Sequence, residues 1–163
     1  MRDWSGKVAV ITGAGSGMGA AMARLFAKAG MKIVVADIDL PTAQATAADI
    51  VGAGGEAIAV RVDVSSQDEV QAMADKAWDH FGAVHVLVNN AGIVPSGRYR
   101  PIWEFPLEDW RWSFDVNMMG VVHGIRAFIP RMIESGVDGH VVTTASVAGL
   151  ISGSGSPVYS ASK

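Results

Sequence analysis

A glycine-rich segment near the start of the sequence carries the first indication of chemistry. The segment Thr12-Gly13-Ala14-Gly15-Ser16-Gly17-Met18-Gly19 follows a β-branched run and precedes a stretch of helix-forming residues. Glycines let the backbone turn tightly and approach a pyrophosphate closely, while the N-terminus of a following helix supplies N–H donors and positive potential. The segment therefore predicts a phosphate-binding turn, with an ordinary glycine-rich turn as the alternative.

An acidic residue further along the sequence supports this interpretation. Asp37 ends the second β-branched run, where a carboxylate can accept hydrogen bonds from the ribose of an adenosine. The same carboxylate repels a 2′-phosphate, and Ser16 and Ile38 stand where an Arg or Lys could otherwise hold one. The pattern favours NAD over NADP, and the alternative is an Asp that merely caps the strand end.

A tyrosine and a lysine could carry proton transfer. Tyr159 and Lys163 are four positions apart, so on a helix they share one face, and a nearby ammonium favours the ionised phenolate. Such a tyrosine can act as a general acid or base, while Ser146 could donate a hydrogen bond to a substrate oxygen as charge develops on it. Taken alone, the pair is more often one face of an ordinary amphipathic helix, with Ser146 in a loop and Asn117 on a helix surface.

Alternating strand and helix patterns must position these residues. β-branched runs predict strands at 8–11, 32–36, 57–62, 84–88 and 141–144. Helical spacing predicts helices at 18–29, 41–51, 67–81 and 107–134, and Pro157 is placed to open another. In the first helix, Met22, Leu25 and Phe26 are expected to share one face. This order predicts a doubly wound parallel α/β sheet, with ligands at the carboxyl ends of its strands.

The motifs together resemble those of the classical short-chain dehydrogenase/reductase family. The family's Thr-Gly-x-x-x-Gly-x-Gly signature is matched by Thr12, Gly13, Gly17 and Gly19. Its Asn-Asn-Ala-Gly signature is matched by Asn89, Asn90, Ala91 and Gly92. Its catalytic residues look like Asn117, Ser146, Tyr159 and Lys163, the last two within Tyr-Ser-Ala-Ser-Lys. The pair Asp63-Val64 is similar to its adenine-contacting pair.

The resemblance implies a Rossmann-type fold, a single NAD(P)-binding domain over residues 1–163 and a homo-oligomer. It implies hydride transfer between NAD(H) and a secondary alcohol or ketone, with Tyr159 as the general acid or base. Lys163 would also hold the nicotinamide ribose, and Asn117 would help to order a water relay from Lys163 to solvent. The expected cofactor contacts are Gly13, Ser16, Gly17, Met18, Gly19, Asp37, Asp63, Val64, Asn90, Ala91, Gly92, Tyr159 and Lys163.

Composition excludes several other classes of function. The 163 residues are 50% hydrophobic and 18% charged, and the net charge of −3 provides no basic surface for nucleic acid. No apolar run approaches the ~20 residues that cross a bilayer, and the N-terminus lacks the apolar region of a signal peptide, so we expect a cytoplasmic protein. The sequence has no Cys. No metal site is expected either, since metal-ligand spacing is absent among His80, His85, His123 and His140.

Aromatic residues cluster before and within the long predicted helix. They are Tyr99, Trp103, Phe105, Trp110 and Trp112. They could line the mouth of a substrate site, but aromatic residues near a long helix are more often core or subunit contacts.

The resemblance also indicates what the sequence lacks. Family members continue beyond the Tyr-x-x-x-Lys motif, so five strands are expected here, with the C-terminal strands of the family fold missing and 141–144 left as an exposed edge. Three interpretations stay open. The chain is the N-terminal part of a hydride-transferring enzyme, a dinucleotide-binding module with impaired catalysis, or an interaction partner of a full-length relative.

Overall fold

The β-branched runs form one parallel sheet in a computed structural model that describes residues 3–95, 100–151 and 155–163. Its strands lie in the order β3-β2-β1-β4-β5. They are β1 (Val8–Thr12), β2 (Lys32–Asp37), β3 (Glu56–Arg61), β4 (Val86–Asn89) and β5 (His140–Thr143). The five predicted strands are confirmed, and their boundaries move by at most two residues.

Helices connect the strands in the predicted alternation. They are α1 (Gly17–Lys28), α2 (Leu40–Gly52), α3 (Gln67–Phe81), α4 (Leu107–Phe114), α5 (Gly120–Glu134) and α6 (Pro157–Ser162). A π-helical segment at Asp115–Met119, here called the π turn, joins α4 to α5. Short 3-10 turns lie at Ile102–Glu104 and Val147–Gly149. None of the helices within the described ranges is long and apolar enough to cross a membrane.

Two apolar layers cover the two faces of the sheet. Alternate residues of β1 point in opposite directions, so Val8 and Val10 enter one core cluster with residues of α3 and α5, including Phe128. Ala9 and Ile11 enter the other cluster, with residues of α1 and α2. The doubly wound, Rossmann-type prediction is therefore confirmed, and the register of the parallel strands brings their carboxyl ends to one edge.

The buried face of α1 differs from the prediction. Leu25, expected to share a face with Met22 and Phe26, is 64% exposed, whereas those two are only partly buried. The fully buried positions are Gly19, Ala20 and Ala23. Small residues occupy the buried face because α1 lies very close to the glycine turn. A side chain at Gly19 would strike the Gly13 carbonyl.

The single helix predicted over 107–134 is not one regular α-helix. The Gly120 N–H donates to the Asp115 carbonyl, five residues earlier, so the π turn interrupts the α-helical hydrogen bonding between α4 and α5. Helical periodicity could not reveal this change, because the backbone stays in the right-handed helical region on both sides of it. The buried residue within the π turn is Asn117.

Candidate active site

A cavity of about 460 Å³ lies at the carboxyl edge of the sheet. Eleven of the predicted cofactor contacts line it, namely Gly13, Ser16, Gly17, Met18, Gly19, Asp37, Asp63, Val64, Asn90, Ala91 and Gly92. Sequence reasoning did not assign the other lining residues, which are Ile38, Val62, Ser65, Ile93, Trp112 and Val116. Most of these are chain neighbours of assigned residues, so adjacency to the motifs was the available signal.

The Asp37 carboxylate holds the glycine turn as well as lining the cavity. Its Oδ2 accepts a hydrogen bond from the Gly15 N–H at 2.8 Å, and its Oδ1 accepts one from the Asp39 N–H at 3.0 Å. Gly15 has no room for a side chain, which would strike the Thr42 hydroxyl. Each carboxylate oxygen keeps a second lone pair that can accept from a ribose hydroxyl.

The first turn of α1 supplies the donors of a phosphate site. Its N-cap, Ser16, makes no side-chain capping bond, and Gly17, Met18 and Gly19 line the cavity. The first N–H groups of a helix have no intrahelical partner, and they carry the positive end of the helix dipole. This donor set, with the close approach that the glycines allow, fits the pyrophosphate of a dinucleotide.

Thr12 and Asn90 fasten the glycine turn to the end of β4. The Thr12 hydroxyl accepts hydrogen bonds from the N–H groups of Asn90 and Ala91, each at 3.0 Å. The Asn90 carboxamide donates to the Thr12 carbonyl at 2.9 Å and to the Gly13 carbonyl at 3.3 Å. Asn90 therefore lines the cavity while its amide nitrogen is bound to the protein, and Thr12 has a positioning role that sequence reasoning did not assign.

Asn117 connects the π turn to two other segments. Its Oδ1 accepts from the Ile93 N–H at 2.8 Å, and its Nδ2 donates to the Ile93 carbonyl at 2.9 Å. The same Nδ2 donates to the Ser162 hydroxyl at 2.8 Å, and that hydroxyl donates to the Tyr159 carbonyl at 2.8 Å. The Asn117 side chain thus positions the backbone of the tyrosine helix, a link through Ser162 that sequence reasoning missed.

Lys163 lies behind the cavity wall, beside Asn117. Its ammonium donates to the Thr144 carbonyl at 3.1 Å and lies 5.9 Å from the centre of the Tyr159 ring. A side chain added at Gly92 would come within 3.1 Å of Asn117 Oδ1 and 3.2 Å of Lys163 Nζ. Gly92 itself lines the cavity, so both polar groups lie directly behind a lining residue that has no side chain.

Ser146 begins the 3-10 turn that follows β5. Its hydroxyl oxygen accepts from the Ala148 N–H at 3.1 Å, which leaves the hydroxyl proton available to donate to a substrate. The same turn packs on the end of α6, since a side chain at Gly149 would come within 2.5 Å of the Lys163 backbone. Neither Ser146 nor Tyr159 is among the residues that line the cavity.

The aromatic residues singled out in the sequence do not all lie at the cavity. Trp112 lines the cavity and is 50% exposed, whereas Trp103 is 81% exposed. Trp110 stacks on Phe114, with ring centres 6.3 Å apart. Tyr99 lies outside the described residues. In the part of the chain that the structure describes, no three His, Cys, Asp or Glu side chains form a group able to hold a metal ion.

Comparisons with known proteins match most of the chain to dehydrogenases. A family model described as short chain dehydrogenase matches residues 7–163. The chain is 41% identical over 158 residues to 1-deoxy-11-beta-hydroxypentalenate dehydrogenase from Streptomyces exfoliatus, which covers 96% of this chain and 57% of that protein. It is 40% identical over 148 residues to cyclohexanol dehydrogenase from Acinetobacter sp. (strain SE19), covering 91% of this chain and 58% of that protein.

A solved structure extends the comparison to three dimensions. The chain is similar, with a TM-score of 0.94 and 49% identity, to a short chain dehydrogenase/reductase from Burkholderia phymatum in complex with NAD. The match covers 99% of this chain and 57% of that one. The chain therefore spans just over half the length of these relatives.

Proposed function

This chain belongs to the short-chain dehydrogenase family, and we propose that it carries the cofactor-binding and proton-transfer residues of an oxidoreductase. The reaction is the interconversion of a secondary alcohol and a ketone, with NAD(H) as the redox partner. Residues 1–163 form its NAD-binding domain. The cytoplasmic location and the homo-oligomeric state expected from the sequence remain predictions.

NAD, rather than NADP, is the cofactor that the charges at the cavity favour. Asp37 would hold the adenosine ribose, and its negative charge repels a 2′-phosphate. The neighbouring Ile38 offers no positive charge to compensate for that repulsion. The first turn of α1 would hold the pyrophosphate, and Asp63 and Val64 would contact the adenine.

The observation that carries the proposal is the position of Lys163 and Asn117 directly behind Gly92. Their polar atoms lie 3.2 Å and 3.1 Å from where a side chain on this lining residue would begin. Only Gly92 therefore separates the cavity from Lys163, the residue that follows helix α6. Such an arrangement allows a bound nucleotide and a tyrosine acid to meet at one substrate.

The chain's own residues would move the proton and stabilise charge. Tyr159 donates its phenolic proton to a ketone oxygen, or removes the hydroxyl proton of an alcohol in the reverse direction. Lys163 stabilises the phenolate through its ammonium and holds a ribose hydroxyl, while Ser146 donates a hydrogen bond to the substrate oxygen. When bound, the nicotinamide supplies or accepts the hydride.

Substitution of the tyrosine tests the proposal. The Tyr159→Phe variant removes only the hydroxyl, so turnover of a cyclic secondary alcohol such as cyclohexanol with NAD⁺ should fall by about 10²–10⁴-fold, the usual contribution of a positioned acid or base. Because Asp37 and the α1 turn are unchanged, NADH binding should stay within about twofold of wild type. Near wild-type turnover in this variant would contradict the assignment, and the NADH titration is the control for folding.

A further inference from the structure

One face of α5 holds the loop that follows β3. Gly120 and His123 are three positions apart, so they lie on the same side of the helix. Both contact Val64, which lies in the Val62–Ser65 segment that lines the cavity. The loop has left the sheet at this point, because β3 ends at Arg61. Its position therefore depends on contacts outside the strand ladder.

His123 makes the polar contact of this pair. Its Nδ1 lies 2.9 Å from the Val64 carbonyl oxygen, and the side chain is only 8% exposed. A carbonyl can only accept a hydrogen bond, so Nδ1 carries the proton and donates it. In the described residues this is the hydrogen bond that ties the Val64 carbonyl to α5.

Gly120 makes the close steric contact. A side chain at this position would begin 2.8 Å from Val64 Cγ2 and 3.1 Å from Val64 Cβ. The helix backbone therefore packs directly against the Val64 side chain, while His123 fixes the Val64 carbonyl. Contacts with α5 therefore fix both the position of the Val64 side chain and the orientation of its carbonyl at the cavity wall.

The loop stands at the adenosine end of the cavity. The Val62 N–H donates to the Asp37 carbonyl at 2.9 Å, so the loop begins beside the acid that is suited to the adenosine ribose. Its remaining polar contacts are short-range. The Asp63 N–H donates to Glu69 at 2.7 Å, and the Ser65 N–H donates to Asp63 at 2.9 Å. His123 provides the link to a helix that is distant in sequence.

We propose that His123 is a positioning residue for dinucleotide binding, which fixes the Val64 backbone so that the Asp63–Ser65 wall fits the adenosine half of the cofactor. The inference rests on the proposed function, because it requires that this cavity bind NAD(H). His123 contacts neither the proton-transfer residues nor the glycine turn in the described contacts. Its effect should therefore be confined to the adenosine half.

Binding measurements on four variants of the full 163-residue chain test this role. The His123→Leu variant removes the donor, while the His123→Asn variant places an amide N–H near the position of Nδ1. Gly120→Ala pushes on Val64 without changing His123. The control is His80→Leu, since His80 is exposed on the last turn of α3 and does not line the cavity. Dissociation constants are measured for NADH by fluorescence and for ADP by competition, at a temperature where circular dichroism shows each variant folded.

We expect His123→Leu to weaken the binding of NADH and of ADP by the same factor, about five- to tenfold, which corresponds to the loss of one hydrogen bond. Gly120→Ala should also weaken NADH and ADP equally, because the added methyl group displaces Val64. His123→Asn should restore binding to within about twofold of wild type, and His80→Leu should leave both dissociation constants unchanged.

A purely structural role of His123 would lower the melting temperature without changing the ADP affinity of the folded protein, and this result would overturn the inference. If His123→Leu does not fold, the same comparison applies to Gly120→Ala against wild type. Failure of wild-type protein to bind NADH would instead reject the proposed function.

Discussion

At the scale of single residues, Asp37 combines two tasks. Its carboxylate oxygens each accept one backbone N–H, from Gly15 and Asp39, and the same group faces the cavity. The geometry of the glycine turn and, in the proposed function, the recognition of a ribose would therefore depend on one side chain. A change at this position alters the shape of the site as well as its charge.

The Asp37→Asn variant should bind NADH about tenfold to hundredfold more weakly, because an amide has one acceptor oxygen in place of two and hydrogen bonds to a charged group are the stronger kind. Its preference for NADH over NADPH should also narrow, since the repelling charge is gone. Both effects are measured by titration with each cofactor.

The control is Asp39→Asn, which makes the same change of net charge two residues away. Asp39 is exposed and lies outside the cavity lining, so this variant should leave the dissociation constants of NADH and NADPH unchanged. Equal effects of the two substitutions would mean that net charge, not Asp37 itself, governs binding.

Sequence reasoning identified the lining residues better than their hydrogen bonds. Eleven predicted cofactor contacts do line the cavity, because sequence motifs fix which backbone segments meet at the sheet edge. The partners of Asn90 and Asn117 were not predictable, since Asn90 bonds to the Thr12 carbonyl 78 residues away and Asn117 to Ile93 24 residues away. Such pairings depend on side-chain orientation in the folded chain, which periodicity does not encode.

At the scale of elements, His85 joins the starts of two central strands. Its ring Nδ1 accepts from the Val8 N–H at 3.1 Å, and the backbone N–H of His85 donates to the Val8 carbonyl at 2.9 Å. Accepting at Nδ1 requires a neutral ring with that nitrogen unprotonated. Burial lowers the pKa of His85 below the ordinary value of 6.5, and the positive charge of Lys7 lowers it further, against a smaller opposing effect of Asp138.

This lowered pKa predicts a loss of stability in mild acid. In the unfolded chain His85 titrates near pH 6.5, whereas in the folded protein it binds a proton only at lower pH, so the unfolded state takes up more protons between the two values. The His85 contribution is therefore fully present above pH 6.5 and is lost as the pH falls through the folded-state pKa. The free energy of unfolding, measured in urea between about pH 8 and pH 5, should fall more steeply for wild type than for His85→Asn. The variant keeps an acceptor oxygen but does not titrate. Parallel pH profiles would rule out this role for His85.

Elements were predictable where a periodic pattern was long and the packing regular. The strands and α3 follow from β-branched runs and from the apolar spacing of 67–81, and the structure places them there. The π turn was not predictable, because the apolar spacing continues across it; within it, Asn117 bonds to Ile93 and Ser162, which are distant in sequence. The face of α1 was misjudged because close approach to the glycine turn selects small residues over large apolar ones, and Leu25 is left exposed.

At the scale of the whole molecule, the parallel sheet gathers the site from segments far apart in sequence. The carboxyl ends of β1, β2, β3 and β4 supply the glycine turn, Asp37, the Asp63 loop and the Asn90 segment to one cavity. The edge strand β5 ends beside the Thr144 carbonyl that holds Lys163. A nucleotide that fills this cavity would lie against the segments that follow β1, β2, β3 and β4.

The most direct measurement is a titration of the purified chain with NADH and, in parallel, with NADPH, followed by protein fluorescence. The chain has five Trp, one of which, Trp112, lines the cavity, so binding should change the emission. We predict saturable binding of NADH, at least about tenfold tighter than that of NADPH because the Asp37 charge opposes a 2′-phosphate. Absence of saturable binding, or a preference for NADPH, would contradict the assignment of this cavity as an NAD site.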